Sequence, residues 1–145
     1  MKRCILILIF LCGGITHAHS PDGWMLFGKV KFNPRFFKEY NEYFVVPTFD
    51  SKIKSFEGTE ITLRGHYLPM DLENNRVILL SKYPYSQCFF CGGAGPESVA
   101  EIVFPSKHPK LKADQIITVV GKLQLNDIDV THMNFILKDA SLILK

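Results

Sequence analysis

TEITLRGHY, residues 59–67, is the stretch whose reading decides the fold. Ile61, Leu63 and Tyr67 alternate with Thr62, Arg64 and His66. That is the period-two pattern of a strand with one face inward and one outward. Gly65 interrupts the inner row, where a small barrel needs a bend or a bulge. Leu68-Pro69-Met70 ends the strand, and residues 71–75 (DLENN) form a turn. Further strands follow at 76–82 (RVILLSK), at 99–104 (VAEIVF, ended by Pro105), at 115–125 (QIITVVGKLQL) and at 134–144 (NFILKDASLIL). In the longest of them Ile117, Val119, Leu123 and Leu125 share a face, with Gly121 among them.

Five strands, with a glycine in the first and the fourth, predict a mainly β protein built on a small five-stranded OB-like barrel. A partly open barrel or a β-sandwich is the alternative. OB barrels usually carry a helix between the third and fourth strands. Here Pro105 and Pro109 leave room only for a loop.

Upstream of the barrel (57–145), residues 19–56 read as an aromatic segment packed across it. Residues 24–32 open with a turn or a strand. Asn33-Pro34 looks like a helix start, Asn as cap and Pro at the first helical position, so 35–42 form two helical turns or an irregular loop. Residues 44–46 are a short strand stopped by Pro47. Residues 53–56 and 59–67 flank Glu57-Gly58 as a tight hairpin or a bend.

Residues 1–18 read as a secretory signal peptide. Lys2-Arg3 is the basic start, 4–15 (CILILIFLCGGI) is an apolar run short for a membrane span, and Thr16-His17-Ala18 offers small residues for a peptidase. Removal of that segment leaves no transmembrane stretch and places the chain in the periplasm or outside the cell. It lowers the formal charge from +3 to +1 and leaves two of the four cysteines, Cys88 and Cys91. So neutral a domain lacks the basic footprint of a nucleic-acid binder. An unidentified cell-envelope protein is the kind of partner this compartment offers.

Cys88 and Cys91 form a C-x-x-C followed by Gly92-Gly93. If the strands alternate in direction as an antiparallel meander, this loop and residues 126–134 share one rim. Thiols, His132, Met133, Asp127 and Asp129 then meet. That predicts a soft-metal site of Cys88, Cys91 and His132, for zinc or for copper, with His66, His108 or a carboxylate completing zinc's four ligands. The alternatives are a Cys88–Cys91 disulfide in a structural or protein-interaction module, since exported chains are oxidised, and a thiol-disulfide redox pair. The redox reading needs a helix start at the first sulfur, which the glycines after Cys91 oppose.

The run Trp24…Val30-Lys31-Phe32, Phe44…Pro47-Thr48-Phe49, Leu63-Arg64-Gly65-His66-Tyr67-Leu68-Pro69 and the cysteine loop YPYSQCFFCGGAGPESVAE (83–101) resembles small exported bacterial proteins of unknown function, similar to the DUF3299 group. The resemblance spans nearly all of the exported chain. It implies a cell-envelope location and an OB-like fold, and it implies no activity.

Other features carry less. Gly92-Gly93-Ala94-Gly95 lacks the Lys-Ser/Thr of a phosphate loop and reads as a turn. Glu97 and Glu101 are expected to face solvent, and His66 to lie on the outer face of its strand. No nucleophile elbow accompanies the Ser, His and Asp residues. His19 at a new terminus suits copper through its amine and ring, though an exposed terminus is the commoner case. Phe27, Phe32, Phe36, Phe37, Tyr40 and Tyr43 suit a stacking platform, but the near-zero charge favours packing. The expected role is therefore a non-catalytic binding or accessory module.

Overall fold

The structure is a computed structural model that describes residues 20–70, 72 and 74–143. The signal-peptide reading of residues 1–18, and His19, lie outside the described residues. Among those described, no helix is long and apolar enough to cross a membrane.

The elements run α1 (Gly23–Phe27), β1 (Lys31–Phe37), β2 (Glu42–Thr48), α2 (Ser51–Lys54), β3 (Glu60–Leu68), β4 (Val77–Ser81), β5 (Val99–Val103), β6 (Ile116–Leu125) and β7 (Phe135–Leu142). The last five close a barrel in the order β3-β4-β5-β7-β6, with β6 returning to β3. All neighbours are antiparallel except β5 and β7, which run parallel. This is the expected five-stranded OB-like barrel, fully closed. No helix lies between Val103 and Ile116, in keeping with Pro105 and Pro109.

The opening stretch makes the closure possible. β3 pairs with β6 from Glu60 to His66 and with β4 from His66 to Leu68, so one strand serves two neighbours in succession. At the changeover the Ser81 carbonyl lies against the Gly65 α-carbon, where any side chain would collide with it. Ile61 and Leu63 are fully buried, and Arg64 is exposed.

The meander expected from sequence is not the neighbour order: the chain crosses from β5 to β6 and places β7 between them. The alternation of strand direction survives, because β6 is antiparallel to β3 and β7 antiparallel to β6. The β4–β5 and β6–β7 connections therefore leave the barrel at the same end.

Upstream the local readings change. Gly23–Phe27 is a helical turn capped by the Asp22 side chain, which accepts from the Trp24 amide at 3.0 Å. Residues 33–37, read as a helix start, are strand β1. Pro34 and Pro47 sit in the β1–β2 ribbon, whose strands each keep a free edge among the described residues, so a missing N–H is tolerated there. Ser51–Lys54, read in part as a strand, is a helical turn capped by Asp50. Phe27 and Phe135 stack at 3.9 Å and 9°, and Trp24, Phe32 and Phe49 meet them edge-on. Trp24 also donates from Nε1 to the Arg64 carbonyl at 2.9 Å. These rings and Ile53 belong to the same core as Ile61, Leu63, Leu80 and Leu137.

Candidate functional site

The β4–β5 and β6–β7 connections meet the β1–β2 ribbon around a cleft of about 350 Å³. Its walls include Val45 and Val46 from β2, Phe89, Pro96 and Val99 from the cysteine side, and Ile128, His132 and Met133 from residues 126–134. An exposed ion pair spans one edge: Arg35 Nη2 is 3.3 Å from Asp127 Oδ2, and Nη1 donates to the Asp127 carbonyl at 2.8 Å.

Asn126 shapes the second wall. Its buried side chain donates from Nδ2 to the carbonyls of Asp129 (2.7 Å) and Met133 (3.2 Å), and its Oδ1 accepts from the Asp129 amide (2.9 Å). Asp129 in turn accepts from the Thr131 hydroxyl at 2.6 Å and the Thr131 amide at 2.9 Å. Those two bonds, with a smaller contribution from nearby His132, hold the Asp129 carboxyl below the usual carboxylate range.

Glu101 corrects an expectation. It does not face solvent but is 5 % exposed, on a strand enclosed on both faces. His132 Nδ1 lies 3.0 and 2.9 Å from its two oxygens, and the Met133 amide donates to Oε2 at 3.3 Å. A carboxylate there needs the proton on Nδ1. In the neutral ring Nε2 is then the free acceptor. One signal in the sequence points to Glu101: a single carboxylate in VAEIV, a run apolar enough to be buried on both sides, needs a partner. Glu97 is partly exposed.

On the cysteine side, Phe89–Cys91 is one 3₁₀ turn, and Gly92 closes it at φ +74°, a left-handed conformation that glycine adopts without steric cost. Cys88 is fully buried in a small apolar cluster with Leu68, Leu79 and Val99, against which Phe89 and Met133 pack. Cys91 is exposed, and its thiol donates to the Tyr85 carbonyl at 3.2 Å. The two sulfurs stand 3.8 Å apart, far from the ~2.05 Å of a disulfide, and both are free thiols. The hydrogen bond with Cys88 first, then desolvation, push the Cys91 thiol up, opposite to an activated nucleophile.

The two loops thus share one rim, and Met133 and Cys88 share one cluster. His132 is instead drawn to Glu101. Among the described residues, no three His, Cys, Asp or Glu side chains form a group able to hold a metal ion. His66 Nδ1 pairs with Asp114 Oδ1 at 3.0 Å, and His108 Nδ1 lies 2.7 Å from the Pro109 carbonyl. No family model, no curated protein and no solved structure matches the chain.

Proposed function

We propose that this protein is an exported, non-catalytic binding module of the bacterial cell envelope that holds a soft metal ion at Cys88 and Cys91. We place it with the small exported proteins it resembles. One observation carries the reading: two reduced thiols on a single tight turn, 3.8 Å apart. Two sulfurs bound at about 2.3 Å to one tetrahedral ion stand about 3.8 Å apart. The turn therefore holds both sulfurs at a ligating separation, and an ion enters from the exposed Cys91 side by parting the apolar cover over Cys88.

Zinc needs four ligands, and the thiols supply two. Copper(I) accepts fewer and softer donors. Met133, packed on the Cys88 cluster, offers a thioether from the facing loop. The donor set favours copper(I), with Met133 rather than His132 as the third donor. Binding displaces the thiol protons, so loading falls on acidification.

The test is metal analysis of the chain purified under reducing conditions and exposed separately to copper(I) and zinc. The expected result is close to one copper per chain, abolished by Cys88→Ser and weakened more by Met133→Leu than by His132→Ala. An intact mass two hydrogens light with no bound metal would refute the reading in favour of a bridged structural module. So would copper retained by Cys88→Ser.

A further inference from the structure

A second cleft, of about 290 Å³, lies at the open end of the β1–β2 ribbon, between α1 and α2. Its apolar lining is Leu26, Val30 and Ile53, and its rim carries Lys29, Lys31 and Lys52. Among the described residues none of these three ammonium groups is in an ion pair, whereas Arg35 and Lys122 are. Asp50 also lines the cleft, but its Oδ1 accepts from the Ile53 amide at 2.9 Å as the cap of α2. The excess charge at this rim is thus two positive, in a chain otherwise close to neutral. Asn33 and Thr48 close the side wall by bonding to each other at 3.2 Å.

Apolar floor and cationic rim complement one kind of guest. The volume falls just below the range of drug-sized ligand sites, about 300–1,000 Å³, which suits a smaller guest. Among the described residues no arginine lines the cleft, and the Ile53 amide of α2 is already taken by Asp50, so the usual bidentate and backbone grips on a phosphate are missing there. From these features we infer that the α1–α2 cleft is a binding site for a small amphiphilic monoanion, an aliphatic carboxylate. The chain seats its tail on Leu26, Val30 and Ile53, and the lysines hold its head. The site is separate from the thiol rim and does not depend on the metal reading.

Trp24, the only tryptophan, lies in the same helical turn as Leu26 but is buried in the core and does not line the cleft, so its fluorescence is a secondary signal beside the amide resonances of the lining residues. The experiment titrates the purified chain with octanoate, below its micelle concentration, and follows Trp24 fluorescence and amide resonances. Saturable binding is expected, with shifts centred on Leu26, Val30 and Ile53. Octanol should bind at least about tenfold more weakly, and acetate should not bind. Raising salt from about 50 to about 500 mM should weaken octanoate. The Lys31→Gln/Lys52→Gln pair should weaken it several-fold, as each exposed charge contact is worth up to about fivefold. Both positions are exposed, so the fold is expected to tolerate the change. The inference is overturned if octanol binds as well as octanoate, if the lysine variant binds unchanged, or if the wild-type shifts centre elsewhere on the barrel.

Discussion

Replacing Gly65 by alanine tests the changeover that closes the barrel. An added Cβ would strike the Ser81 carbonyl oxygen, with the Ser81 carbonyl carbon at 3.1 Å and Leu80 Cγ at 3.3 Å. The first two are backbone atoms, so no side-chain rotation relieves the overlap. Ser81 is fully buried and paired on both sides, with His66 and with Val99, so moving it disturbs two strand pairs. Overpacking of this kind costs about 1–3 kcal/mol, and the absence of a flexible neighbour places Gly65→Ala near about 3 kcal/mol. For a chain of this length each kcal/mol shifts Tm by about 2–4 °C, giving a fall of about 6–12 °C. Urea unfolding followed by Trp24 fluorescence, together with thermal melting by circular dichroism, measures both. Arg64→Ala, one residue away and facing solvent, should stay within about 0.5 kcal/mol of wild type. A Gly65→Ala loss under about 1 kcal/mol, with an unchanged urea m-value, would refute the close approach of β3 and β4.

Three further outcomes follow from other parts of the molecule. Phe27→Ala removes a fully buried ring stacked on Phe135 and should cost about 3–5 kcal/mol by urea unfolding; a loss under about 1 kcal/mol would show that the N-terminal segment adds little to the core. A bulky maleimide should label Cys91 in the native protein and Cys88 only on unfolding. The pH midpoint for Cys91 labelling should lie above that of free cysteine and move down in Cys88→Ala, because the Cys88 hydrogen bond is the largest cause of the upward shift. Asp129 is depressed in the folded state, so its stabilisation is present above the unfolded carboxyl pKa and is lost as pH falls through the folded value. Thr131→Val should raise that folded value in a carboxyl NMR titration, and no movement would mean that the hydroxyl bond does not form.

The barrel was legible because its signals are local. Ile61 and Leu63 alternate with polar neighbours, Gly65 marks the bend, and Pro105 and Pro109 forbid the intervening helix. The ribbon was not legible, because Asn33-Pro34 carries the same residues as a helix start. Only tertiary placement, as a two-stranded sheet with free edges, lets Pro34 and Pro47 lie in strands. The two-loop rim followed from strand direction alone. Which side chains meet there did not, since Glu101 becomes a partner for His132 only through a parallel pairing between residues 35 apart, Glu101 with Ile136 and Ile102 with Leu137. Asn126 likewise reads as a turn residue. Its hydrogen bonds to Asp129 and Met133 depend on the loop folding back over it.

That parallel pairing joins Glu101 to Ile136 and Ile102 to Leu137, and little else. It is the shortest run of strand pairing in the barrel, two residue pairs against three between β3 and β4, which makes it the natural seam to open first. Glu101 sits in that seam and orients His132. Hydrogen–deuterium exchange should therefore find the imidazole's support coming loose whenever the seam breathes, well before the β3–β6 side gives way.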